Sequence, residues 1–203
     1  PVSRKPAPRP RRTAARPAPV KAALRIVAGV AGGRRIDVPP GSATRPTSDR
    51  VREAIFNALE SLGAVDGAKV LDGFAGSGAL GIEALSRGAA HTTFTDTDAQ
   101  ATGVVSENLR ALGLLGQSTV LTRPVERALV PGGSFDLVLL DPPYAYEGWD
   151  HLLAALVAVL SVDAVVVIES DREVDLPPGL VGIRSKTYGG TVVQFATAAG
   201  VPS

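Results

Sequence analysis

The strongest chemical signal in the chain is the run Asp141-Pro142-Pro143-Tyr144. An amine attached to an aromatic ring is a poor nucleophile because its lone pair is spread into the ring. Two acceptors placed on its hydrogens localise that pair: here the carboxylate of Asp141 and the backbone carbonyl of Pro142. Fixed acceptors also stabilise the positive charge that develops on the nitrogen during attack. Pro142 restricts Asp141 to extended geometry, and neither proline carries an N–H to compete. Tyr144 offers a flat face on which a base can stack. Such a pocket suits an unpaired or flipped-out base, and no strong general base is required, because a methylated cationic amine sheds its proton readily. The same four residues also fit a plain turn after a strand. The rest of the chain decides between the two.

Upstream, Asp72-Gly73-Phe74-Ala75-Gly76-Ser77-Gly78-Ala79-Leu80-Gly81 places Gly76, Gly78 and Gly81 in a G-x-G-x-x-G pattern between a strand and a helix. Glycines there let the backbone approach a ligand closely. The pattern alone suits a nicotinamide dinucleotide, and Asp96 lies about 20 residues on, where a ribose is held. Asp72 separates the candidates. A pyrophosphate beside it would be repelled, whereas S-adenosylmethionine brings an ammonium and a sulfonium. At about 4 Å the difference between attraction and repulsion is several kcal/mol at a partly buried site. Asp72 can also serve simply as a cap on the turn. Asp98 is expected to cap the next helix. The loop Arg123-Pro124-Val125-Glu126 after the third parallel strand would flank an adenine, though these residue types are not diagnostic of one.

Hydrophobic spacing places these motifs on elements. Leu24 to Ala28 and Arg34 to Val38, around a glycine-rich turn, predict a small hairpin. Val51, Ala54, Ile55, Ala58, Leu59 and Leu62 repeat at helical spacing, with Thr47, Ser48 or Asp49 as cap and Gly63 as stop. Strands then alternate with helices: strands over 69–71, 92–95, 118–121, 135–140 and 164–168, helices over 78–87, 98–112, 125–130 and 151–160. Repeated βα units imply a parallel sheet covered on both faces. Two last strands, 181–188 and 191–196, are joined by Gly189-Gly190 and predict a hairpin that adds an antiparallel edge strand. The motifs all fall at strand carboxyl ends, where ligands of such sheets bind. The expected architecture is a Rossmann-like α/β domain over 44–203, a hairpin extension over 23–43, and a disordered Pro/Ala/Arg-rich tail over 1–22.

Composition narrows the chemistry. The chain is 203 residues long, 45% hydrophobic and 20% charged, enough for one domain with a real core. It has no cysteine, so thiolate metal sites, disulfides and cysteine nucleophiles are excluded. The two histidines, His91 and His151, are far apart, so no metal is expected. No apolar run is long enough to cross a bilayer, and a cytoplasmic enzyme is expected. The net charge of +1 hides an asymmetry. Up to Arg52 only Asp37 and Asp49 oppose a long series of arginines and lysines. A basic front on an acidic body suits a polyanion held at one edge, or a solubilising tail.

Taken together, three segments resemble the bacterial 16S rRNA (guanine(966)-N2)-methyltransferase family: Arg45 to Asn57 (RPTSDRVREAIFN), Asp72 to Arg87 (DGFAGSGALGIEALSR) and Asp141 to Tyr144. The last two are shared widely among amino-methyltransferases; the first is more particular to this family. The resemblance runs from about Leu24 to Phe195. It implies a class I methyltransferase fold, S-adenosylmethionine as cofactor, and 16S rRNA of the small ribosomal subunit as partner, with a monomeric enzyme expected. By position, Asp72, Phe74, Ala75, Gly76, Ser77, Gly78, Asp96, Val125 and Thr47 would hold cofactor, and Asp141, Pro142, Pro143 and Tyr144 the base. Arg25, Arg34, Arg35, Arg45 and Arg50, with Arg52 beside them, would grip RNA phosphates, while Arg50 or Arg52 could instead pair with Glu53 or Asp49. Two other readings stay open from the residues alone. One is a DNA amino-methyltransferase acting on adenine or cytosine; the other is a nucleotide-binding module without catalysis.

Overall fold

The computed structural model describes residues 23–40, 49–143 and 146–199. The basic tail over 1–22, Arg45, Thr47 and Tyr144 therefore lie outside the described residues.

A short antiparallel hairpin comes first, β1 (Ala23–Arg25) and β2 (Arg35–Asp37), with Leu24 opposite Ile36. Helix α1 (Asp49–Ser61) follows. Then come β3 (Lys69–Asp72), α2 (Ala79–Ser86), β4 (His91–Asp96), α3 (Ala99–Leu112), β5 (Ser118–Thr122), β6 (Phe135–Leu140), α4 (Trp149–Val157) and β7 (Leu160–Ser170). The last elements are β8 (Leu180–Tyr188) and β9 (Thr191–Ala198). The seven-stranded sheet has the order β5-β4-β3-β6-β7-β9-β8. β3 to β7 run parallel; β9 pairs antiparallel with β7 and β8. The order reverses between β3 and β6, because the chain winds outward to β5 and then returns to the other side of β3. That leaves a crevice beyond the carboxyl ends of β3 and β6.

Alternation along the central strands gives each sheet face its own core. Leu137, Leu139, Val165 and Val167 pack with Ile55, Phe56 and Leu59 of α1 and with Ile82 and Leu85 of α2. Val138, Leu140, Val166 and Ile168 pack on the other face with Leu152, Leu153 and Leu156 of α4. Each such buried aliphatic side chain contributes about 1.5–3 kcal/mol. Ile26, Ala31 and Ile36 of the hairpin are buried in the first of these cores. Asp136 is the one charge inside the apolar stretch of β6; it accepts from the Lys69 N–H at 2.8 Å and the Ser161 hydroxyl at 2.6 Å.

Several boundaries differ from the sequence expectation. Helix α4 ends at Val157, and β7 begins at Leu160 rather than Ala164. Pairing runs from Phe135 opposite Leu160 to Leu137 opposite Val165, so the extra residues of β7 bulge out. Val162 points to solvent and Asp163 takes a left-handed φ of 63°, a conformation that short Asp side chains tolerate. The helix expected over 125–130 is a single 3-10 turn, Val125–Ala128, begun by Pro124. In the terminal hairpin, β9 is the interior strand and β8 the edge.

Candidate active site

The loop after β3 is stretched across the tips of its two neighbours. Gly73 N–H donates to Leu139 O of β6 at 2.9 Å, and Ala75 N–H to Thr95 O of β4 at 2.9 Å. The Thr95 hydroxyl returns a bond to Gly73 O at 2.8 Å. Gly76 and Gly78 hold left-handed φ values of 52° and 79°, which glycine reaches without strain. Gly81 is required for another reason. A Cβ there would lie 2.3 Å from the Phe94 ring and 2.9 Å from Asp72 Oδ2.

Asp72 is 2% exposed, and its Oδ2 accepts from Gly81 N–H at 2.9 Å, in the first turn of α2. It therefore caps the helix start and lines the cavity at once. Burial pushes its carboxyl up from 3.8 to about 7; the Gly81 bond opposes this, and Asp141 and Asp96 add to it. Asp96, at the tip of β4, has both oxygens oriented. Gly76 N–H donates to one at 2.9 Å and Asp98 N–H to the other at 2.9 Å. The carboxylate keeps acceptor positions for a pair of vicinal hydroxyls. Asp98 caps α3 through Gln100 N–H, as expected.

These groups open on one cavity of about 910 Å³. Of the candidates for cofactor and base, Asp72, Phe74, Ala75, Gly76, Ser77, Asp96, Val125, Asp141, Pro142 and Pro143 all line it, and Gly78 sits just behind at the start of α2. Arg50 lines its mouth. Among the described residues there is no cluster that could hold a metal ion. None of their helices is long and apolar enough to cross a membrane.

Sequence reasoning missed several wall residues. Tyr146 stacks edge-on against Phe74 (5.1 Å between centroids) and Trp149 (5.2 Å), and its hydroxyl donates to Glu126 at 3.0 Å. Burial, and that bond to Glu126, push its phenol well above its usual value. Glu169 from β7, Tyr188 at the end of β8 and Thr191 at the start of β9 complete the wall. For Glu169 a signal existed: it is a charged residue directly after a buried strand, at the functional edge of the sheet.

The arginines divide by role. Arg25 and Arg35 are exposed on the hairpin, and Arg50 is exposed at the start of α1. Arg34 is exposed too, but its guanidinium sits on the carbonyls of Ala111 and Leu112 (3.4 Å for the latter) at the carboxyl end of α3. Arg52 takes the structural alternative rather than the phosphate grip: it is fully buried, so it cannot reach an RNA phosphate. It pairs with Asp49 at 2.9 Å and lies 3.6 Å from buried Glu83, and it donates to the carbonyl of Arg25. Glu83 in turn accepts from the backbone of Val27 (2.7 Å) and Ala28 (3.0 Å) and from Arg87 (2.8 Å). The cluster staples the hairpin to α2.

Comparison with known proteins agrees with this geometry. The family described as Conserved hypothetical protein 95 matches residues 24–197. YlbH of Bacillus subtilis is 41% identical over 181 residues, covering 85% of this chain and 97% of YlbH. Ribosomal RNA small subunit methyltransferase D of Haemophilus influenzae is 33% identical over 182 residues, 83% of this chain and 91% of that protein. The solved yhhF structure from Escherichia coli superposes with a TM-score of 0.78 at 33% identity, over 87% of this chain and 98% of that one. The structure of SMU.776 complexed with SAH shares the fold at 13% identity with a TM-score of 0.69, over 92% of this chain and 58% of that one. The sheet order, the glycine loop and these matches lead to one assignment: the chain belongs to the Conserved hypothetical protein 95 family, alongside the ribosomal RNA small subunit methyltransferases D.

Proposed function

We propose that this protein transfers a methyl group from S-adenosylmethionine to the exocyclic N2 amine of a guanine in 16S rRNA of the small ribosomal subunit. One observation carries the reading: the Asp141-Pro142-Pro143 tip of β6 and the Asp72–Gly81 loop of β3 open on the same cavity. An acid-lined crevice whose floor is glycine backbone fits a cationic nucleoside better than a pyrophosphate.

When bound, S-adenosylmethionine supplies a methyl group activated by a sulfonium. Asp72 holds the cationic methionine end, Asp96 the ribose hydroxyls, and Phe74 with Val125 the adenine. Gly76 and Ser77 offer backbone in place of side chains. Thr47, from the segment before α1, belongs to the same binding set. On the acceptor side, the Asp141 carboxylate and the Pro142 carbonyl take the two N–H groups of the base amine. They localise its lone pair and stabilise the charge that builds on nitrogen. Tyr144 stacks on the base. The methylated, positively charged nitrogen then sheds its proton to water, with no strong general base required. Arg25, Arg35, Arg45 and Arg50 hold the flanking phosphates.

The test pairs a chemical and a binding readout. Asp141→Ala should abolish methyl incorporation, followed by mass spectrometry of 16S rRNA nucleosides, while calorimetric titration with S-adenosylhomocysteine is preserved. Methylation near the normal rate in that variant would refute the assignment.

A further inference from the structure

Glu169 is the second last residue of β7, is 2% exposed and lines the cavity. Parallel pairing sets Leu140 against Ile168, so Asp141, the first residue past β6, follows on beside Glu169 of β7. Leu140 and Ile168 both face the α4 core. Alternation turns Glu169 to the opposite side, and Asp141, continuing from β6, lines the same cavity. Neighbouring strands lie about 4.8 Å apart, a spacing that two side chains of different length close onto adjoining donors of one base edge. Thr191 and Tyr188 stand on the far side of Glu169, across β9 and β8.

A carboxylate pair in this position would distinguish the three amino bases. In guanine the exocyclic amine adjoins a ring N1–H, a donor. In adenine the amine adjoins bare N1, and in cytosine bare N3; both are acceptors. A carboxylate beside the residue that holds the amine therefore gains a hydrogen bond from guanine. Facing adenine or cytosine it meets a lone pair and leaves two buried acceptors opposed.

We propose that Glu169 accepts the N1–H of the target guanine while Asp141 accepts from its amine, so that Glu169 selects guanine over adenine and cytosine. The inference rests on the guanine-amine reading above and deepens it. It makes Glu169 a specificity-determining residue that touches the base.

The experiment uses small subunits rebuilt around 16S rRNA with either guanosine or 2-aminopurine riboside at the mapped target position. 2-Aminopurine keeps the same exocyclic amine and lacks only the N1–H and the neighbouring carbonyl. A third substrate, carrying 2,6-diaminopurine, also lacks N1–H and carries an amine where guanine has the carbonyl, so it repeats the test with a different group at that position. The wild-type enzyme should methylate both analogues roughly 100-fold more slowly than guanosine. Glu169→Gln, whose amide can turn to donate to a bare ring nitrogen, should narrow that ratio to within about tenfold. Its binding of S-adenosylhomocysteine should stay unchanged, which shows that the site is intact. Equal wild-type rates on guanosine and the analogues, or an unaltered ratio in Glu169→Gln, would overturn the role of Glu169 and leave guanine methylation standing. A guanosine control that takes no methyl would remove the underlying reading, and this inference with it.

Discussion

Asn108 binds both backbone groups of Asp37: its side-chain carbonyl accepts the Asp37 N–H at 2.9 Å, and its amide donates to the Asp37 carbonyl at 2.9 Å. The same amide donates to the Ser77 carbonyl at 3.0 Å. One buried side chain on α3 thus ties the end of β2 to the glycine loop.

Asn108→Ala should therefore affect two places at once. It leaves half-buried backbone groups of Asp37 and Ser77 without this partner, a loss of about 1–2 kcal/mol in stability. It should also loosen the loop and weaken S-adenosylhomocysteine binding. Calorimetry and thermal unfolding report both. A variant that loses stability yet binds the ligand unchanged would show that the hairpin and the loop are energetically separate.

Asp72 predicts a pH dependence of definite sign. In the ligand-free protein its carboxyl is pushed up to about 7. The group thus stabilises the fold below its ordinary value of 3.8, and that contribution is lost as pH rises through about 7. A cationic ligand favours the ionised form, so S-adenosylmethionine should bind more tightly at about pH 8 than at about pH 6, with proton release. Asp72→Asn should bind weakly with a flat pH profile, and above pH 7 it should melt no lower than the wild type. Calorimetry in buffers of different ionisation enthalpy detects the proton. Binding enthalpies independent of buffer would contradict the linkage.

Much of this site was legible because it demands unusual residue types. Glycines at Gly76 and Gly78 in the loop after β3, and prolines at Pro142 and Pro143 after β6, have few other reasons to sit at strand ends. What escaped was set by tertiary contact. Ala158, Val159 and Leu160 carry no period that separates the end of α4 from the start of β7. Arg52 looks like a surface charge until folding brings Glu83 beneath it. Glu169 was passed over because β7 was read as ending at Ile168.

Arg34 and Arg35 are adjacent in sequence and should behave differently. Arg34 supplies positive charge and hydrogen bonds to the last carbonyls of α3, an arrangement worth about 0.5–1 kcal/mol. Arg34→Ala should lower stability by that amount and change RNA binding little. Arg35→Ala should leave the melting temperature alone and reduce the salt slope of RNA binding by about 1. Filter binding at several salt concentrations, together with melting curves, separates them. The reverse pattern would exchange their roles.

Gly76→Ala and Gly81→Ala test whether the glycine loop is shaped for a ligand or for packing. At Gly76 a Cβ would meet no atom within 4 Å, and only the left-handed φ of 52° opposes the change. That strain is about 1–2 kcal/mol, so Gly76→Ala should fold, while its added methyl, in the cavity, blocks close approach of the cofactor. At Gly81 the methyl would press on the Phe94 ring and on Asp72. Phe94 is fully buried and cannot give way without disturbing its core. Gly81→Ala should therefore lose more stability than Gly76→Ala and disturb the Asp72 carboxylate as well. Melting curves rank the two variants, and titration with S-adenosylhomocysteine reads the site. Normal ligand affinity in Gly76→Ala would mean that the cofactor does not lie against this stretch of backbone.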